Sequence, residues 1–229
     1  MTPGSQNASS CNARELQRGF SMVVDELREH YKRMVTGEPV YHDLHTRSGD
    51  SIGVFEWPKG SSRLGVHFYA SAGASNHGPG ARQHAVELFV GVKSGDSAVL
   101  EAFADAAMSI RKSNGVPQHG SFISGDWKVI RGRKFTGWIL TERPDDLIPE
   151  LRLQDGRHVV FLDALPVYPE EAEYRNGNRS EELLGIWEEF GVKSWDLDRE
   201  LPPGIQARPA RLGSWLGKAL GRTQILRRS

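Results

Sequence analysis

The chain has 229 residues, 29 basic and 29 acidic side chains, 38% hydrophobic and 25% charged residues, and one cysteine. This is the composition of an ordinary globular protein, long enough to bury a core without disulfide or metal support. The lone Cys11 excludes an internal disulfide and points to a reducing, cytoplasmic setting. No apolar run approaches the ~20 residues a membrane-spanning helix requires.

Residues 1–13 are uncharged and mostly small or polar, without the basic start and apolar core of a signal peptide, and are expected to form a disordered leader. Leu16, Phe20, Val23, Val24, Leu27, Tyr31 and Met34 then recur at three- and four-residue steps. That is the apolar stripe of a helix, which Gly37 should stop. Extended segments follow at Ile52 to Trp57 and Leu64 to Ala70, and a loop of small residues runs from Ser71 to Gly80. A strand from His84 to Val92 carries Val86, Leu88, Val90 and Val92 on one face. Val99 to Arg111 reads as a second helix with Val99, Leu100, Phe103, Ala107 and Ile110 inward, and a further strand is expected near Thr136 to Leu140.

Asp155-Gly156 suits a two-residue type I′ hairpin turn, in which both central residues need positive φ. The strand leaving it, His158 to Leu165, is almost wholly apolar, so it should lie centrally with both faces covered and with Val160 and Leu162 buried. Pro166 and Pro169 end it. A last helix should be capped by Ser180, carry Leu183, Leu184, Ile186, Trp187 and Phe190, and stop at Gly191.

Charge is unevenly distributed. From Leu201 to the end there are six basic residues and no acid, which leaves the preceding chain with 23 bases against 29 acids, a net charge of −6. Pro169 to Glu200 holds ten acids and four bases. Such a surface attracts a basic partner and repels nucleic acid.

Two stretches carry a family resemblance. One is Tyr69-Ala-Ser-Ala-Gly-Ala-Ser-Asn-His-Gly, continuing to His84-Ala-Val-Glu-Leu-Phe-Val-Gly-Val92, and the other is Asp155-Gly-Arg-His-Val-Val-Phe-Leu-Asp-Ala-Leu-Pro-Val-Tyr-Pro-Glu-Glu171 with the helix after it. They resemble the suppressor of fused domain of bacterial proteins, whose features are an acidic-apolar strand (here Glu87-Leu88) and an apolar strand ending in proline, a hydrophobic pair and a later glutamate (here Pro166 to Glu171). The resemblance implies a single α/β (α+β) domain, residues 14–200, with a mixed sheet flanked by helices. It also implies a protein that works by binding another protein, as animal members do when they sequester a transcription factor and bacterial members when they act as immunity proteins against toxins. Residues 201–229 are expected to form a basic tail, disordered or a short amphipathic helix in which Leu212, Trp215, Leu216, Ala219 and Leu220 share a face.

A few residue groups have the makings of chemistry as well as plain structural roles. Gly73-Ala-Ser-Asn-His-Gly78 comes nearest to a nucleophile elbow, with Ser75 and His77 as a small hydrolase would need, but His77 replaces the second glycine and a strand follows instead of a helix. The loop lacks the lysine of a phosphate-binding loop, so a recognition loop is the simpler reading. His42 and His45 are spaced as a ligand pair without the third ligand a metal site requires. The adjacent acids Glu170-Glu171, Glu181-Glu182 and Glu188-Glu189 diverge by about 100° on a helix and do not converge as an acid/base pair. The expectation is therefore a non-enzymatic binding domain without metal or cofactor that inhibits a protein partner, such as a basic toxin domain. Tyr69, Ser71, Ser75, Asn76, His77, Glu181, Glu182, Glu188 and Glu189 are the candidate partner contacts. A small-molecule sensor is the third reading.

Overall fold

The computed structural model describes residues 22–45, 50–61, 65–76, 84–113, 115–124, 129–130, 133–134, 136–143, 147–177 and 179–205. The expected leader, Leu16 and Phe20 of the first helix, His77, and the tail from 206 onward lie outside the described residues. In chain order the elements are helix α1 (22–34), β1 (Val40–His45), β2 (Ser51–Trp57), β3 (His67–Ala72), β4 (His84–Val92), α2 (Ser97–Lys112), β5 (Phe122–Ser124), β6 (Val129–Ile130), β7 (Arg133–Lys134), β8 (Gly137–Thr141), β9 (Leu151–Arg152), β10 (His158–Val167), α3 (Pro169–Gly177) and α4 (Ser180–Glu189).

Eight strands make one mixed sheet in the order β1-β2-β3-β4-β10-β8-β5, with β9 paired to the start of β10, while β6 and β7 form a separate ribbon. Among the described strands only β4 and β10 pair in parallel, Val160 opposite Val86 and Leu162 opposite Leu88. Parallel neighbours need a long crossover, and the chain between them supplies it through α2 and the strands after it. The expected α/β architecture, a mixed sheet flanked by helices, is therefore the observed one.

The alternation along β4 explains the two-sided core. Val86, Leu88, Val90 and Val92 join α2 residues Val99, Phe103, Ala107 and Ile110 in one buried cluster. Ala85 and Phe89 face the other way, into a cluster with Val23, Val24, Leu27 and Tyr31 of α1. Each large side chain so buried contributes about 1.5–3 kcal/mol. Met34 of the expected α1 stripe is 37% exposed, and Val35 takes the inward place just past the helix. Asp96, ahead of α2, caps it by accepting from the Val99 N–H at 2.9 Å.

The sequence reading is corrected at four points. The hairpin between β9 and β10 has a three-residue loop, not a type I′ turn. Gly156 N–H donates to Leu153 O and Leu153 N–H to Arg157 O, both at 2.9 Å, and Gly156 sits at φ 89°. This is a type I turn closed by a glycine bulge, which needs positive φ at the glycine alone. Second, Val160 is half-buried, while Leu162 is 1% exposed. Val160 lines a cavity of about 240 Å³ with Phe89, Leu147, Ile148 and Phe161, walled by Glu142, Arg143, Pro149 and Glu150. Third, the edge strand β1 goes unrecognised in the sequence because its residues are mostly exposed and only half-apolar. Fourth, Ser180 does not cap α4. Arg179 holds that place without a side-chain bond, and the Ser180 hydroxyl accepts from Arg175 Nε at 3.0 Å instead.

Candidate functional site

The small-residue loop after β3 is organised around one carboxylate. Glu87 is fully buried in the middle of β4. Its Oε1 accepts from the Gly73 N–H (2.9 Å), the Ser75 N–H (3.0 Å) and the Ser75 hydroxyl (2.6 Å). Its Oε2 accepts from the Ala74 N–H (3.2 Å) and the Ser71 hydroxyl. Consecutive backbone N–H groups converge this way when a positive-φ residue opens the turn, and Gly73 supplies it at φ 115°. The Ser71 hydroxyl in turn accepts from Leu88 N–H at 2.8 Å, and Tyr31 of α1 donates to Ser71 O at 2.9 Å. Burial, with Glu87 nearby, pushes the Tyr31 hydroxyl well above its ordinary pKa.

This cage relocates the loop residues expected at a partner surface. Tyr69, Ser71 and Ser75 are interior, at 1%, 0% and 0% exposure, and Asn76 is half-buried. Tyr69 donates to Glu56, and burial together with that carboxylate raises its pKa strongly. Ser75 cannot act as a nucleophile from this position. Its hydroxyl is sealed from substrate and already committed to Glu87. The loop is also tied to the hairpin, since Arg157 donates to Ser75 O at 2.8 Å while pairing with Asp155 at 2.7 Å. That pairing holds the Asp155 carboxyl below its usual range.

A second buried carboxylate organises the other corner. Pro169 opens α3, where its fixed φ suits a first helical residue, and Glu171 at the third position reaches back to Tyr168 N–H at 2.9 Å. Glu171 also accepts from Trp187 Nε1 of α4 at 3.1 Å and pairs with Arg199 Nη2 at 2.8 Å. Arg199 donates to Pro166 O at 2.8 Å, and its guanidinium lies 4.3 Å from the Tyr168 ring and 5.1 Å from the Trp187 ring. The Tyr168 hydroxyl donates to Leu197 O. Burial raises the Glu171 pKa, with Arg199 and the two N–H donors opposing it. Pro166 to Glu171 thus works as a clamp for the segment after α4. Glu171 belongs to the interior and not to the solvated acidic face on which the sequence places it.

The remaining acids do form such a face. Glu181, Glu182, Glu188 and Glu189 are all exposed on α4, whose Leu183 and Trp187 are buried. Two aromatics that sequence reasoning missed accompany them. Phe190, expected within the helix, is 47% exposed at its end, and Trp195 is also 47% exposed. Trp195 is held in place, because its carbonyl accepts Lys93 N–H at 2.8 Å and the next residue, Asp196, pairs with Lys93 Nζ at 2.9 Å. No sequence signal marks either ring as outward; both stand among residues of helical or turn type.

The histidines are dispersed. His42 and His45 of β1 fall three apart on a strand, so they face opposite sides, where His42 bonds Glu56 at 2.8 Å and His45 approaches Asp43 at 3.7 Å. His67 lies 3.7 Å from Glu56, and His84 lies beside His158 at 6.0 Å between ring centroids. Among the described residues no group of three or more His, Cys, Asp or Glu is placed to hold a metal ion. Nor is any helix of the described residues long and apolar enough to cross a membrane.

Comparison with known proteins agrees with this architecture. No curated protein matches the sequence. A protein described as a SUFU (suppressor of fused protein) homolog from Neisseria gonorrhoeae FA 1090 superposes with a TM-score of 0.53 at 19% identity, over 79% of this chain and 94% of that one. The Sufu-Fu complex structure matches with a TM-score of 0.54 at 14% identity, over 79% and 91%. Drosophila Suppressor of Fused matches with a TM-score of 0.54 at 14% identity, over 80% of this chain and 51% of that longer one. At such identities the likeness shows the fold. The family itself is shown by the sequence, because the model of the Suppressor of fused protein (SUFU) family matches residues 48–200, a span containing both buried-carboxylate motifs. The chain therefore belongs to the suppressor of fused family.

Proposed function

We propose that this protein is a non-enzymatic binding domain that sequesters or inhibits a protein partner through the acidic face of α4. The supporting observation is the contrast between the two corners. The loop carrying Ser75 is locked shut around Glu87, whereas Glu181, Glu182, Glu188 and Glu189 are exposed to solvent. Phe190 follows Glu189 directly and Trp195 comes five residues later, both 47% exposed, and aromatic anchors surrounded by polar rims are typical of binding hot spots. A partner suited to this face carries a basic surface with an apolar centre. A toxin domain with a basic, nucleic-acid-binding active site has that chemistry, and covering the site with an acidic face would neutralise it. The protein's membership of a family that includes a structure of a Sufu-Fu complex favours a protein partner over a small molecule.

Affinity capture from the native host, with the wild-type chain and with a variant carrying Glu181, Glu182, Glu188 and Glu189→Lys, tests the reading. A basic protein retained by the first and lost by the second is the expected result. Identical captures would place the partner surface elsewhere. A hydrolase screen yielding an activity that vanishes with Ser75→Ala would overturn the reading altogether.

A further inference from the structure

The acidic face has a candidate occupant within the same chain. Residues 201–229 carry Arg208, Arg211, Lys218, Arg222, Arg227 and Arg228 and no acid, and the preceding chain has a net charge of −6 concentrated in Pro169 to Glu200. The structure shows where that basic segment departs. Ile205 is 3% exposed and packs in one buried cluster with Leu183 and Trp187 of α4. The chain beyond it therefore leaves from the root of the helix whose outer side is acidic. We propose that residues 206–229 dock on this face, their basic residues against Glu181, Glu182, Glu188 and Glu189 and their apolar residues against Phe190 and Trp195.

Reach and tethering both favour this arrangement. At about 3.3 Å per extended residue the chain from Ile205 to Lys218 can span ~40 Å, against ~15 Å for the ten residues of α4. A short tether holds a segment at an effective concentration of about millimolar, so even weak contacts keep the face occupied. The tail offers Leu212, Trp215, Leu216 and Leu220 within a dozen residues, a matching apolar complement for two rings that are each 47% exposed. The inference rests on the reading of α4 as a partner surface and adds that an external basic partner enters by displacing the tail.

Two measurements on the full chain test it. Lys218 is the only lysine after Lys193, so a zero-length carbodiimide cross-link from it reports what the tail touches. At low salt Lys218 should join Glu181, Glu182, Glu188 or Glu189 of its own molecule, and at high salt the product should disappear. Links to acids outside α4, no link at all, or links between molecules in a mixture of isotope-labelled and unlabelled chains would overturn the proposal. In the second measurement a labelled peptide of residues 206–229 is titrated onto the wild-type chain and onto a chain with all six tail bases changed to Gln. Release of the competing tail should tighten peptide binding about tenfold, and Phe190→Ser with Trp195→Ser should reverse that gain. Equal affinity for both chains would defeat the idea. The two readings fail separately. An external partner that still requires the four glutamates in a chain lacking the cross-link removes tail docking and leaves the partner surface. The cross-link without any such partner does the opposite.

Discussion

Two corners of this molecule are each built on a buried glutamate, and they solve the same problem differently. Glu87 is surrounded by neutral donors, three backbone N–H groups and two hydroxyls, contributed by residues 71–75. Glu171 is matched by an opposite charge, Arg199, brought from 28 residues downstream. The first arrangement fixes one loop and commits its side chains inward. The second fixes the path of the chain after α4 and leaves the outer side of that helix free to carry charge. A buried carboxylate satisfied by dipoles closes a site, while one satisfied by a distant cation holds a surface in place.

The largest effect should come from breaking the charged corner. Arg199→Ala leaves Glu171 buried without its cation, which costs about 3–5 kcal/mol. Chemical denaturation should show it as a lowered midpoint. Replacing both partners by apolar residues, Glu171→Leu with Arg199→Met, should restore much of the loss, since a buried pair adds little over good packing. A double variant no more stable than the single one would mean that the hydrogen bonds to Tyr168 and Trp187 dominate instead.

The neutral corner should respond less. Glu87→Gln puts an amide donor against donors and leaves at least one or two buried groups unmatched, at about 1–3 kcal/mol each. Hydrogen exchange should then quicken at the Gly73, Ala74 and Ser75 amides, with α4 unaffected. Faster exchange in α4 would show that the two corners are coupled.

A smaller, pH-dependent effect belongs to His30. It is buried, stacks on Phe161 at 5.1 Å and bonds Pro149 O at 2.8 Å, and burial lowers its pKa below the usual 6.5. The unfolded chain therefore takes up the proton first as pH falls. The stability His30 contributes is complete above pH 6.5 and is lost as pH drops through its lowered folded value. Melting temperature followed from pH 7.5 to 5 should fall more steeply in the wild type than in His30→Phe. Parallel curves would assign the acid sensitivity to other groups.

The smallest stability change should come from the four surface glutamates. Reversing them to lysine should shift stability by under about 1 kcal/mol, as exposed charges do. Association with a basic partner should slow at the same time and lose its salt dependence, because rim charges act chiefly on encounter. A large stability loss would mean that these residues have structural partners.

Elements whose periodicity reports burial directly are legible along the chain. The strand from His84 to Val92 appears with its stated ends, and α2 extends the expected helix by only a residue or two on each side. The apolar run after Asp155-Gly156 is a central strand flanked by β4 and β8, as two covered faces require. The family, too, was readable from Glu87-Leu88 and Pro166 to Glu171. What those glutamates do was decided only by the tertiary structure. Glu87 and Glu171 look like any other acids along the chain, and their burial depends on donors that the fold delivers from another strand, another helix or a distant arginine. Exposure of Phe190 and Trp195 is likewise settled by packing, because an apolar side chain at a helix end faces inward or outward according to what the fold leaves beside it. Local pattern fixes which residues form a strand or a helix. Which carboxylate is caged and which is offered to a partner depends on contacts between residues far apart in the chain, and no local pattern encodes them.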